Sequence, residues 1–395
     1  MAFDDDGADD VFEAGGRGMQ HHGLRRANEK AVLTVVGFNP GVSNAQIARK
    51  SGLAPQTVSA ILGDIERAGL IRRGPVMRGR RGQPATPIFL RPEGGYAIGV
   101  DIGWRQAELV LIDLNANIVG SRRLPYAIPD PASIVAALEE LVAAVKAELP
   151  QAARSRLLDL GVALPADMAD GLRRLGASAA QVTDWQAFDI SAALAARTGL
   201  EVNLFNDGNA ACWAELIARP RPRPGNFIYF LVGTSLAAGI VADGKLWEGP
   251  TGKAANLGAM VVHVGADGPG MARHIASLAA LEERLRRVGM DQAAADPALW
   301  DWPKIGNAVD RWIEDSAEAL ARVCFNTSTV IESHLVVLDS ILPGPLTARL
   351  AKRLAAALAA LPVPSYAPPE ILVGQLGRQA PALGAAELPL FRRYF

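Results

Sequence analysis

Apolar residues recur at helical spacing three times within the first seventy positions. Leu24, Ala27, Ala31, Val32, Val35 and Val36 mark a first helix, closed by Gly37. Ser43 is placed to cap a short second helix whose Ile47 and Ala48 face inward. Gly52 ends that helix, and Leu53 follows as a buried staple. Pro55 suits the first position of a third helix, because its missing N–H would be unpaired there anyway. Along it, Val58, Ile61, Leu62 and Ile65 form one apolar face, while Gln56, Thr57 and Ser59 lie opposite near its start. Two helices joined by a turn with glycine match the helix-turn-helix, whose second helix enters the DNA major groove. A helical hairpin that only packs would show the same spacing. Leu70–Arg73 and Pro87–Leu90 then read as two strands of a β-wing turned at Gly74-Pro75.

The pattern changes at Arg91-Pro92-Glu93-Gly94-Gly95. Runs at 96–103, 107–113, 118–119, 159–165 and 201–205 read as strands. Helices are expected at about 131–149 and near 191–198. A hairpin follows at 226–241 with Gly233-Thr234-Ser235 at its turn. Helices dominate from Met271, with strands at 335–338 and 370–372 and a helix at 346–361. This alternation predicts an α/β architecture with a mainly mixed sheet.

Composition narrows the class. With 395 residues, 50% apolar and 21% charged, the chain has material for two or three cored domains. No apolar run approaches the length that crosses a bilayer, the start is acidic rather than signal-like, and Cys212 and Cys324 form no ligand motif. These features predict a cytoplasmic protein without a membrane partner. The net charge of −1 conceals an asymmetry. Residues 1–20 carry six acids and one arginine, whereas residues 21–92 carry twelve Lys or Arg and three acids. The acidic, glycine-rich start predicts a disordered tail over 1–20. The basic segment 21–92 is expected to be a winged helix-turn-helix that meets double-stranded DNA.

Within that segment the candidate contacts are Ser43, Gln46, Gln56, Thr57 and Ser59 on the helices, with Arg72, Arg78, Arg80, Arg81 and Gln83 on the wing. Helix side chains would read base edges, and the arginines would hold phosphates or enter the minor groove.

Several short motifs fall in one order across some 360 residues. They are Arg26-x-Asn28, the helix-turn-helix, the Arg81-Gly82-Gln83-Pro84-Ala85 wing, Gly99-Val100-Asp101-Ile102-Gly103, Asn206-Asp207, Gly233-Thr234 and Gly384-Ala385-Ala386. In this the chain resembles the ROK family (repressors, open reading frames and sugar kinases), specifically its transcriptional regulators. The resemblance implies an actin-like, ribonuclease H-like two-lobed domain of sugar-kinase type over 93–395. One lobe would be about 93–205 plus the C-terminal segment, and the other about 206–377. It also implies homodimers or homotetramers on palindromic operators, and carbohydrate-related genes as targets.

The departures from that family matter as much. Where its kinases carry glycines that approach ATP phosphates, Gly103 is followed by Trp104-Arg105, and Asp339-Ser340 replaces a second glycine pair. The sugar-binding Glu and His positions are filled by Asn256 and Ala259, and a second sugar-binding Glu aligns with Arg273. The zinc loop is replaced by Gly268-Pro269-Gly270-Met271, without cysteine. These changes predict no catalytic residues, no cofactor and no metal site; His263 and His274 are expected to be ordinary packed or surface residues. Asp207, the family's general base, is expected to cap the following helix and accept a ligand hydrogen bond. Exchanging two carboxylates for an amide and a guanidinium shifts the cleft by about three charge units. An acidic sugar-derived effector held by Asn206, Asp207, Asn256 and Arg273 is therefore expected. The alternatives are a sugar kinase with Asp207 as base, and a regulator with no ligand, Arg273 lying on a helix surface.

Overall fold

The computed structural model describes residues 21–76, 86–265, 268–290, 296–362 and 367–395. They fall into two compact units, one ending at Gly94 and including Arg393–Phe395, the other running from Gly95 to Arg392.

The first unit contains helices His21–Phe38, Asn44–Ser51 and Pro55–Arg67, followed by an antiparallel pair of strands, Ile71–Arg73 and Ile88–Leu90. Its core is the predicted apolar faces: Val32, Val36, Ile47, Val58, Leu62, Ile71 and Ile88 are all but inaccessible to solvent. Gly52 takes a left-handed φ of 72° and donates its N–H to Ala48 O, which ends the second helix as expected. One expectation fails. Leu53 is half-buried rather than a buried staple. Leu24 is 51% exposed, because the inward face of the first helix begins only at its middle turns.

The larger unit is built on two five-stranded sheets of the same design. In the first the order is Ile118–Pro125, Gln106–Asp113, Tyr96–Ile102, Leu157–Leu164, Val202–Asn206. In the second it is Lys245–Leu246, Leu236–Ala242, Phe227–Val232, Leu335–Ser340, Glu370–Val373. In each the first three strands run antiparallel and the last two join in parallel. Parallel joins need helical crossovers, which is why the strand signals alternate with helices in the sequence. Each sheet buries a face under helices, giving one core around Ile98, Leu109, Leu138 and Val162 and another around Phe230, Trp312, Leu320 and Leu338.

The helix Ala380–Tyr394 ties this unit together. Gly99 and Gly161 are paired neighbours on adjacent strands. A methyl group on either would overlap the backbone of Ala382 or Ala385, so the two glycines form a bare groove in which the helix lies. On its other side Gly384 meets the backbone of Ala210 just as closely. This is the actin-like, two-lobed α/β arrangement, with a cleft between its lobes.

Candidate functional site

Two places in the molecule present functional groups. On the smaller unit, the start of the helix Pro55–Arg67 leaves Gln56 and Thr57 exposed. The other candidates are more engaged. Ser43 donates both its N–H (2.9 Å) and its hydroxyl (3.0 Å) to Gln46 Oε1, so this pair closes the N-terminus of the second helix. Ser59 donates to Pro55 O (2.9 Å) and accepts from Asn44 Nδ2 (2.8 Å), which locks the two helices at their crossing. Arg72 is exposed and lies over the Phe89 ring, 4.7 Å from its centroid. This cation–π contact holds its guanidinium over the strand pair. Arg78, Arg80, Arg81 and Gln83 lie outside the described residues.

On the larger unit a cleft of about 540 Å³ opens between the lobes, and Asn206, Asp207, Asn256 and Arg273 all line it. That volume lies in the range of small-molecule sites, roughly 300–1,000 Å³. Asn206 and Asp207 arrive at the end of the strand Val202–Asn206, where the chain turns into the helix Asp207–Ala218. The cap of that helix is Asn206, whose Oδ1 accepts the Asn209 N–H (3.1 Å), and not Asp207 as the sequence suggested. Relieved of that duty, Asp207 sits in the first turn. It takes one N–H from Gly208 (2.7 Å) and one from Asn206 Nδ2 (3.0 Å). Burial nevertheless pushes its carboxyl up to about 6 against these bonds. Asp101 is raised well above the usual carboxylate range by burial, and further by Asp207 and Glu108. Asn256 is set by a loop pinned from beneath, because buried Asn209 donates Nδ2 to the carbonyls of Gly252 and Ala254, each at 3.3 Å.

Arg273 does not lie on a helix surface. It occupies the short turn Ala272–His274, only 14% of its side chain is exposed, and it faces Asp167 across the cleft at 3.4 Å. Sequence reasoning missed Asp167, and also Arg105, which pairs with Glu282 at 2.8 Å. Four carboxylates, Asp167, Asp207, Glu282 and Glu283, line the same space. Arginine still outnumbers them, with Arg105, Arg174, Arg273, Arg284, Arg286 and Arg287 on the walls. The helix Leu278–Arg287 begins here too, but its first N–H groups are taken. Leu278 and Ala279 donate to Gly233 O and Thr234 O, and Ala280 donates to Ser277 Oγ. An anion in this cleft is therefore met by side chains.

Beyond Asp207 the space narrows to about 90 Å³ among Asp101, Gly103, Gly233, Thr234 and Arg378. In the two turns that face this space the glycine N–H is spent within the turn: Gly103 N–H donates to Gln106 O (3.0 Å) and Gly233 N–H to Ser235 O (2.9 Å). Arg378 spans the opening, donating to Gln106 Oε1 (3.0 Å) and to Asp296 Oδ1 (2.7 Å), and so holds Asp296 below the usual carboxylate range. Asp339 takes N–H groups from Ser340 (2.8 Å) and Gly377 (2.7 Å) and the Tyr229 hydroxyl (3.2 Å). Trp104, which follows Gly103, also lines this narrow space. The indole is 9% exposed, turned into the core of the first lobe against Gly171, where a large ring gains most from burial. The residues present do not fit a nucleotide.

They do not fit structural zinc either. The segment aligned with a zinc loop is a two-stranded hairpin, Val261–Gly265 and Gly268–Met271. His263 is exposed and lies over Gly270, and His274 lines the cleft. Among the described residues no three His, Cys, Asp or Glu side chains are grouped to hold a metal.

A winged-helix unit joined to a two-lobed domain of sugar-kinase type defines the class. Residues 97–390 match the ROK family, and the chain belongs to it. Residues 22–82 match the MarR family. The chain is 23% identical to a xylose repressor of Bacillus spizizenii, covering 92% of this chain and 95% of that protein. It is 30% identical to a glucokinase of Streptomyces coelicolor over 42% of this chain and 49% of that enzyme. A solved ROK family transcriptional regulator, described as a homologue of the E. coli MLC protein, superposes with a TM-score of 0.70 at 17% identity, covering 94% of this chain and 98% of that one. A ROK family glucokinase from Streptomyces griseus, in complex with glucose and AMPPNP, gives 0.57 at 23% identity over 74% and 99%.

Proposed function

We propose that this protein is a sequence-specific DNA-binding transcriptional repressor of carbohydrate-related genes, and that its two-lobed domain senses a ligand without transferring phosphate. The observation that carries this is the closed nucleotide end. In both turns the glycine N–H is spent internally, and the space on the nucleotide side of Asp207 is about 90 Å³, well below that of small-molecule sites. Phosphoryl transfer depends on donors and a metal-bound triphosphate around the reacting group. The match to a xylose repressor along nearly the whole of both chains supports the same reading.

The DNA site is a palindrome bound by a homodimer or homotetramer, since two recognition helices related by a two-fold axis read two half-sites. Selection of binding sequences from a random duplex library, followed by footprinting, tests this. Replacing Arg78, Arg80 and Arg81 together by alanine is expected to weaken binding to every sequence and flatten its salt dependence. Gln56→Ala or Thr57→Ala is expected instead to relax one position per half-site, at about 1–3 kcal/mol of discrimination. A triple variant that binds as tightly as the parent removes the wing from the contact surface.

The effector is a sugar derivative with an acidic group, received by Arg273 with Asn206, Asp207 and Asn256. The arginine-rich walls support this. The kinase reading retains one favourable observation, a carboxyl at about 6 in the position of a general base. ATP-dependent phosphorylation of a sugar panel is expected to give nothing; turnover that vanishes in Asp207→Asn establishes the kinase instead.

A further inference from the structure

Among the described residues that line the cleft, two arginine–carboxylate pairs join one lobe to the other, and they differ in build. Arg105, in the turn between the first two strands of its lobe, meets Glu282 at 2.8 Å, with side chains only 24% and 17% exposed. The second pair joins Arg273 to Asp167, which follows the strand Leu157–Leu164. It is longer, 3.4 Å, and lopsided: the guanidinium is 14% exposed and the carboxylate 46%. A guanidinium is a rigid fork suited to two parallel hydrogen bonds from one carboxylate or phosphate. At 3.4 Å, Asp167 makes a long contact to that fork, and its exposure leaves it open to water that would take it back when released.

We infer that Asp167 is an internal stand-in for the acidic group of the ligand. It holds Arg273 while the cleft is open to solvent, gives way when a carboxylate or phosphate arrives on a sugar, and so sets how strongly acidic ligands are preferred over neutral ones. This rests on the reading that an acidic sugar derivative enters the cleft. The competition is internal: the ligand's anion and Asp167 cannot occupy one fork together, and bringing both near it sets two like charges side by side. The backbone offers no alternative seat, because the nearby helix N-terminus is already occupied by the turn Gly233–Ser235 and by Ser277.

Isothermal titration with glucuronate, glucose 6-phosphate, inorganic phosphate and glucose tests this in the parent, Asp167→Asn, Asp167→Ser and Arg273→Gln, each first checked for native unfolding behaviour. Removing the competitor is expected to tighten glucuronate or glucose 6-phosphate by about tenfold in either Asp167 variant and to leave glucose unchanged. The two acids distinguish a carboxylate from a phosphate ligand. In the Arg273→Gln background, adding Asp167→Asn is expected to give no gain. If the parent binds an acid and the Asp167 variants bind it equally or more weakly, the stand-in role is overturned while the acidic-ligand reading survives. If no acid binds the parent or either Asp167 variant, both fall. Tightening by inorganic phosphate alone overturns the link to a sugar.

Discussion

Asp207 carries a cost that pH can expose. Its carboxyl has an ordinary value of 3.8 and stands at about 6 in the folded chain. Between those values the folded chain holds more protons than the unfolded one, so stability falls as pH rises through that window and stays reduced above it. Asp207→Asn keeps an oxygen to accept the Gly208 N–H but cannot ionise. It is expected to raise stability at pH 7 by about 1–2 kcal/mol, less than the full two-unit shift implies because the group is only half-buried. Denaturant unfolding at pH 4.5 and pH 7 checks this; Asp101, raised in the same direction, should leave a residual slope. Gly171 offers a second test. Alanine there would favour the helix by up to about 1 kcal/mol, yet its methyl overlaps the Trp104 indole. Overpacking of this kind costs about 1–3 kcal/mol, so Gly171→Ala should destabilise, and adding Trp104→Phe should recover part of the loss. Nothing in the sequence linked these two residues.

At the scale of elements, legibility followed pattern strength. The helix Pro55–Arg67 was plain because four apolar residues at spacings of three and four all face the core. The strands Gln106–Asp113 and Phe227–Val232 were plain because their buried runs are continuous. The helices Met168–Arg174 and Ala179–Ala187 went unread, since among their described side chains just Leu172, Val182 and Trp185 are buried. The hairpin 261–271 was hidden for the opposite reason: Val261 and Val264 point outward, 48% and 80% exposed, so no alternation marks it. Function divides along the same elements. Gln46 closes a helix end and Gln56 does not, so Gln46→Ala is expected to cost the DNA-binding unit about 1 kcal/mol in thermal unfolding. Gln56→Ala should stay within about 0.5 kcal/mol, as exposed substitutions do, and act on base preference alone.

For the whole molecule, family motifs brought Asn206, Asp207, Asn256 and Arg273 to one cleft, but the partners that shape it were out of reach. Asp167 stands 106 positions from Arg273, and Arg105 stands 177 from Glu282. No local pattern encodes such pairs; only the return of the chain through two similar sheets creates them. The missing thiolates were legible, and metal analysis of untagged protein is expected to find well under one zinc per chain. The helix Ala380–Tyr394 adds a consequence in time. It is translated after every element it packs against, yet it fills the groove over Gly99 and Gly161 near the start of its domain. The ribosome therefore releases a first sheet that is complete at Asn206 and stays uncovered for about 170 codons, until Ala380 is made. Nascent chains stalled before Ala380 should remain protease-sensitive across 96–206, and those stalled far enough beyond Tyr394 for the helix to leave the exit tunnel should become resistant in a single step.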